Sequence, residues 1–303
     1  MIRELQDKII KLKKEKDICI LAHSYQTADI IEIADITGDS FMLSRAAQKV
    51  ESKTLIMCGV RFMAETAKLL SPEKEVILAS PNAGCPMAEQ ITPEEVTEMK
   101  KQYPNAAVVA YINTTAALKA VCDVCVTSSS AVKIVSNMKE DEIIFLPDCN
   151  LGQFVKDKVP DKTFHFMQGG CPYHGAVTVD EVKEAKTLHP QAKLLIHPEC
   201  KPQISQMADF VGSTAEIMDY AENSHEKEFI IGTENSIREL LQYKCPEKKF
   251  YELSKKLICP DMKITTLADV YSALQGEAGE SIEIPQDIAQ NAIESINKML
   301  ALG

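Results

Sequence analysis

Short apolar runs alternate along the chain with longer segments whose apolar positions return every three or four residues, as in TPEEVTEMKKQYP and TVDEVKEAKTLHP. Runs of the first kind suit strands buried on both faces, and segments of the second kind suit helices lying against them. The alternation therefore predicts parallel βαβ layers covered on both sides.

The pattern also repeats. Three apolar runs end in His23, Tyr111 and His197, and 17 residues after each stands a hydroxyl: Ser40, Ser128 and Thr214. Second runs end near Gly59, Pro147 and Gly232, at 36, 36 and 35 residues from the first markers. Third runs precede Cys85, Cys171 and Cys259, at 62, 60 and 62. Thr92, Thr178 and Thr266 follow seven residues past the cysteines, with Glu95, Glu181 and Asp269 three further on, the pattern of a helix capping box. Four landmarks in register over three copies define a repeated unit. Each unit reads strand, helix, strand, helix, strand, then cysteine and a crossover helix.

The expected architecture is three homologous three-layer α/β/α domains with parallel sheets arranged about a pseudo-threefold axis. They span residues 1–86, 87–172 and 173–260. Residues 261–303, with the helix QDIAQNAIESINKMLAL, close the ring onto the first repeat, and the N-terminal helix stands in for the crossover helix that the first repeat lacks.

Ligands of open parallel sheets bind beyond the carboxyl ends of the strands, where all these landmarks fall. His23 with Tyr25, Tyr111 with Asn113, and His197 with Glu199 are spaced by two, so on extended chain each pair points one way. Ser40, Ser128 and Thr214 are expected as helix N-caps, where unpaired N–H groups and the positive end of the dipole suit an anion. This matters because only four arginines are available to hold one: Arg3, Arg45, Arg61 and Arg238.

The net charge of −11 and the lack of a basic run argue against nucleic acid or an anionic membrane as partner. MIRELQDKIIKLKKEKD has no apolar core of a secretory signal, and it is read as the first helix of a cytoplasmic protein. Ten cysteines in a reducing compartment are expected as thiols. Cys85, Cys171 and Cys259, one per unit, form a trigonal set for zinc or for a [4Fe-4S] cluster with one open iron. The glycines of QGGCPYHG would give room beside such a group. His174 has no counterpart in the other units and would contact one substrate only. Cys122 and Cys125 form a CxxC inside a repeat landmark, Cys149 and Cys200 lie near strand ends, Cys245 is out of register, and His165, His189 and His225 read as packing or surface residues.

The motifs LAHSYQ, GDS, FMAETA, AGCPMAE, VVAYINT, TSSSA, GGCPYH, IHPEC, GST and ICPDMK cover nearly the whole chain, and together they resemble the quinolinate synthase family of NAD biosynthesis. Ser24 and Ser130 depart from residues common in that family. The resemblance implies three α/β domains around a [4Fe-4S] cluster held by Cys85, Cys171 and Cys259. It implies condensation of iminoaspartate with dihydroxyacetone phosphate to quinolinate, with loss of phosphate and two waters. It assigns substrate contacts to His23, Ser40, Tyr111, Asn113, Ser128, His174, His197, Glu199 and Thr214, with chemistry carried by Tyr25, Glu199, His197, His23 and Tyr111. It also implies a transient contact with the enzyme that supplies iminoaspartate. The alternatives are a zinc-dependent hydratase or hydrolase on the same three thiolates, and a non-catalytic anion-binding protein.

Overall fold

The computed structural model describes residues 2–303. Among these described residues are three sheets dominated by parallel pairing and flanked by helices. The chain divides into two compact units. One comprises the residues through Glu89 with Ile112–Val121 and Pro260–Ile296. The other comprises Gln90–Tyr111, Cys122–Cys259 and Asn297–Gly303.

The first unit carries β1 (Ile18–His23), β2 (Ile36–Gly38), β3 (Thr54–Cys58) and β4 (Glu75–Leu78). The second carries one sheet of β5 (Ala107–Tyr111), β6 (Val124–Val126), β7 (Glu142–Leu146) and β8 (Thr163–Phe166). Its other sheet is β9 (Lys193–Ile196), β10 (Phe210–Val211), β11 (Glu228–Gly232) and β12 (Lys249–Glu252). In the first unit β13 (Glu280–Ser281) adds an antiparallel edge to β4. Each sheet places its strands in the order second, first, third, fourth, all parallel.

The repeated unit thus holds one strand more than the hydrophobic pattern foretold. β2, β6 and β10 are edge strands of three, three and two residues, too short to show a period. A shared lock holds them. The Asp35 carboxylate accepts from Ile20 N–H at 2.8 Å, Asp123 from Val108 at 2.8 Å and Asp209 from Leu194 at 2.9 Å, always across 15 residues. A lysine of the preceding helix approaches each aspartate: Lys13, Lys100 and Lys186. Lys13 lies on the helix Ile2–Glu15, so within its unit that helix fills the place of the crossover helices Pro93–Gln102 and Val179–Leu188.

A second threefold feature closes other helix ends. The Lys74, Lys162 and Lys248 ammonium groups donate to backbone carbonyls at or just past the ends of the helices Ser40–Lys49, Ala131–Asn137 and Thr214–Asn223. Cations there offset both unpaired carbonyls and the dipole. All three threonine capping boxes form as the spacing predicts.

The core follows strand alternation. In the first unit Ile20, Ala22 and Ile56 pack with Ile9 and with Val270 of the helix Leu267–Gln275. In the second, Leu194, Ile196 and Ile230 pack with Val182 and Ile204. Among the described residues no helix is long and apolar enough to cross a membrane.

Candidate active site

Main-chain bonds place the three thiols. The N–H groups of Arg61, Cys149 and Asn235, just beyond β3, β7 and β11, donate to the carbonyls of Ala83, Gly169 and Leu257 at 2.8, 3.0 and 2.8 Å. Each acceptor stands two residues before a cysteine, so the same backbone bond sets Cys85, Cys171 and Cys259 in their own repeats. The cysteines do not end the fourth strands, as the sequence pattern suggested. They sit on the loops beyond Leu78, Phe166 and Glu252, where turns and proline interrupt the ladder. Each cysteine N–H meets a carboxylate: Cys85 to Glu89 at 3.1 Å, Cys171 to Asp148 at 2.9 Å and Cys259 to Glu234 at 3.5 Å.

Gly169 and Gly170 of QGGCPYHG serve close approach to protein groups, whereas a Cβ on Gly175 would meet nothing within 4 Å. A Cβ on Gly169 would stand 2.7 Å from the Gln90 side chain and the Pro147 carbonyl, and one on Gly170 3.1 Å from Asp148 Oδ2.

Around Cys171 the second unit gathers a buried polar cluster. Tyr111 Oη donates to Glu199 Oε1 at 2.7 Å. His174 Nδ1 lies 2.9 Å from Glu199 Oε2 and 3.2 Å from the Cys171 sulfur, while its Nε2 lies 3.2 Å from Thr233 Oγ1. A carboxylate only accepts, so Nδ1 carries the proton and offers it between oxygen and sulfur. Asn150 Nδ2 donates to the Glu199 carbonyl at 3.1 Å, and the His174 and His197 rings lie 5.0 Å apart. Glu199 is 4% exposed. Burial alone would raise its pKa, but the imidazole of His174 and hydrogen bonds from His174 and Tyr111 outweigh that and hold the carboxyl ionised. Burial pushes His197 down to about 4, so it is a neutral imidazole near pH 7. Burial, then the Glu199 charge, raises both Cys171 and Asp148.

The spacing-two pairs act differently from the expectation. Beyond His23 and His197 the chain turns rather than staying extended, because each imidazole Nδ1 accepts the N–H two residues on: Tyr25 at 3.1 Å and Glu199 at 3.3 Å. That bond fixes the tautomer, leaving Nε2–H as the donor face of both rings. In the first unit Tyr25 also lies edge-on to His23 at 4.5 Å, and Lys263 Nζ donates to its carbonyl. Asn113 falls with Ile112–Val121 in that unit, whereas Tyr111 belongs to the other.

Ser40, Ser128 and Thr214 are not the N-caps. Asp39 and Ser213 cap the helices Ser40–Lys49 and Thr214–Asn223, accepting from the N–H groups of Met42 and Glu216, whereas the helix Ala131–Asn137 begins after Ser130, and Thr127 accepts from Ser130 N–H in the turn before it. Asp39 and Ser213 are as good caps as the predicted hydroxyls, and Glu216 completes a box for Ser213. Ser40 and Thr214 therefore stand one step inside helix N-termini, and Ser128 lies in the turn that precedes its helix.

The remaining thiols and imidazoles stand outside this cluster. Cys122 is half-buried and Cys125 buried in β6. Cys149 caps no ligand but supplies the backbone bond to Gly169, and burial raises the Cys200 thiol far above its usual range. Cys245 is buried at the end of the helix Ser236–Lys244. His165 stacks on Tyr103 and His189 on Tyr251, and His225 is exposed. Asp148 and Glu234 were not singled out from sequence. The signal was there: one or two residues past the Pro147 and Gly232 markers, PDCN and GTEN each carry an acid shortly before an asparagine.

Ionised carboxylate, phenol, imidazoles and thiol, packed together beyond the carboxyl ends of parallel strands, are the equipment of an enzyme that moves protons. The family model described as quinolinate synthetase A protein matches residues 7–301. The quinolinate synthase of Caldicellulosiruptor bescii is 48% identical over 302 residues, covering 100% of this chain and 99% of that protein. That of Clostridium kluyveri is 47% identical over 298 residues, covering 98% of each, and that of Clostridioides difficile 48% identical over 299, covering 99% and 98%. The chain belongs to the quinolinate synthetase A protein family.

Proposed function

We propose that this enzyme is a quinolinate synthase of NAD biosynthesis, condensing iminoaspartate with dihydroxyacetone phosphate and releasing phosphate and two waters. The observation that carries the reading is the Tyr111–Glu199–His174 chain ending at the Cys171 sulfur. In it Glu199 is an ionised base, Tyr111 a phenol donor, and His174 a proton carrier between carboxylate and thiol. His197 and His23, whose Nδ1 atoms accept backbone N–H groups, offer Nε2–H to substrate oxygens, and Tyr25 is a second phenol for proton transfer. Ser40 and Thr214, in the first turns of their helices, and Ser128, in the turn leading into its helix, would bind carboxylate and phosphate with backbone N–H groups where arginine is scarce. Asn113 completes the substrate contacts.

The donor chemistry fits a [4Fe-4S] cluster. Cys85, Cys171 and Cys259 are equivalent, partly exposed thiols on loops set by one repeated backbone bond, and a thiol-only set suits iron–sulfur ligation. Three thiols leave one iron to act as a Lewis acid when the cluster is bound. The repeats would be residues 1–86, 87–172 and 173–260, with 261–303 as the closing segment. The protein would be cytoplasmic, meeting the iminoaspartate-producing enzyme transiently.

One observation favours a second reading. Cys171, His174 and Glu199 offer ligand atoms within 4.8 Å of one another, which could hold a single zinc for a hydratase. Both Glu199 oxygens already accept hydrogen bonds, so the carboxylate is better placed as a base than as a ligand. Anaerobic purification decides between them: a brown protein absorbing broadly near ~400 nm that forms quinolinate supports the first, and a colourless protein with stoichiometric zinc overturns it.

A further inference from the structure

Asp148 is completely buried, yet nothing in the proton chain uses it. Its Oδ1 accepts from the N–H groups of Asn150 and Leu151, both at 2.9 Å, capping the helix Cys149–Lys158. Its Oδ2 accepts from Cys171 N–H at 2.9 Å. One planar side chain thus ties a helix start to the thiol loop, and Gly170 lets the loop approach it. Glu234, 2% exposed, repeats the device: Oε2 accepts from Ser236 N–H at 2.9 Å and Oε1 from Cys259 N–H at 3.5 Å.

We propose that Asp148 and Glu234 are positioning residues that hold the Cys171 and Cys259 thiols for cluster retention by clamping their backbone N–H groups to the following helix. The proposal rests on the reading of these cysteines as cluster ligands. A carboxylate is required because two acceptor oxygens are in use. An amide has one, so Asp148→Asn must turn its NH2 toward either the helix start or Cys171 N–H, and the thiol loop loosens while the rest of the fold remains.

Wild type, D148N and a cap-only control, Thr92→Ala, are reconstituted with iron and sulfide without oxygen. Three quantities are read: bound iron, decay of the cluster absorbance under a chelator, and far-UV circular dichroism melting of the apoprotein. Groups that orient ligands contribute roughly 10- to 100-fold to metal retention, so D148N should lose its cluster that much faster with a melt close to wild type. T92A, which loses a cap elsewhere, should decay as wild type does. Equal decay of D148N and wild type overturns the proposal and leaves Asp148 as a helix cap alone. Equally fast decay of T92A and D148N overturns it in favour of general destabilisation. Glu234→Gln repeats the test at Cys259, so the question remains open to experiment if D148N does not fold. Wild type that takes up no iron overturns this proposal together with the reading it rests on, whereas a loaded wild type with equal decay overturns this one alone.

Discussion

Replacing Tyr111 by Phe removes one oxygen and keeps the ring in place. That oxygen stands 2.7 Å from Glu199 Oε1, in a cluster where the glutamate is 4% exposed. His197 Nδ1 lies 3.9 Å from Oε1 and is already accepting the Glu199 N–H, so it cannot replace the donor. A hydrogen bond to a charged group contributes about 1.5–3 kcal/mol. At about 1.36 kcal/mol per decade, its loss from a carboxylate acting as base lowers kcat/KM by roughly 10- to 150-fold. The assay is the initial rate of quinolinate formation from iminoaspartate generated in situ and dihydroxyacetone phosphate, with iron content and thermal unfolding measured on the same sample. A variant with unchanged iron and kcat/KM within about twofold of wild type, well under one decade, would refute the role given to this hydrogen bond.

Glu181→Gln should destabilise the protein by about 1 kcal/mol, since both carboxylate oxygens accept, Oε1 from Ser254 and Oε2 from Thr178 and Lys256, and an amide has one acceptor. Burial works against ionisation there, but hydrogen bonds from Ser254, Thr178 and Lys256 win and hold the carboxyl down to about 2. A folded pKa below the unfolded one gives stability that is present above the ordinary carboxylate pKa and is lost as pH falls toward 2. The difference in denaturation midpoint between wild type and E181Q should therefore shrink on acidification from neutrality, and a constant difference would contradict it. Lys248→Met strips a buried ammonium from the carbonyls of Ala221, Glu222 and Ser224, at 2.7, 2.9 and 2.8 Å. A cost of roughly 2–4 kcal/mol in urea unfolding is expected, against under about 0.5 for the exposed neighbour Lys249→Met. Cys85→Ala should abolish the absorbance near ~400 nm and Cys122→Ala should leave it, as thiolate ligation by the first but not the second requires.

The hydrophobic runs foretold the central strands well, because β1, β5 and β9 are buried on nearly every residue and so read as continuous apolar runs. The helix QDIAQNAIESINKMLAL appears at Gln286–Leu302, as its spacing predicts. β2, β6, β10 and β13 were hidden because two or three residues carry no period, and the aspartates that lock three of them look like ordinary polar positions. In the site, repetition exposed the residues that recur, such as Cys171 and His197. It could not show that Glu199 would be gripped from both sides, since Tyr111 lies on another sheet and His174 has no counterpart. Two caps were misplaced by one residue for a local reason: Asp39 and Ser213 can do what Ser40 and Thr214 were expected to do, while the third helix is capped at Ser130, two residues past Ser128.

The bonds from Arg61, Cys149 and Asn235 to the carbonyl two residues before each cysteine run from main chain to main chain. Such a bond does not depend on which side chains flank it, so the segments leading to the thiols can drift in composition and keep their register. Their length is another matter. An added or deleted residue between carbonyl and cysteine would rotate the sulfur away from its direction while leaving the bond intact. Descent from one ancestral repeat would therefore be expected to leave the letters of these three loops largely dissimilar and their counting alike, as PNAGC, MQGGC and KLIC do over the last two steps before each cysteine.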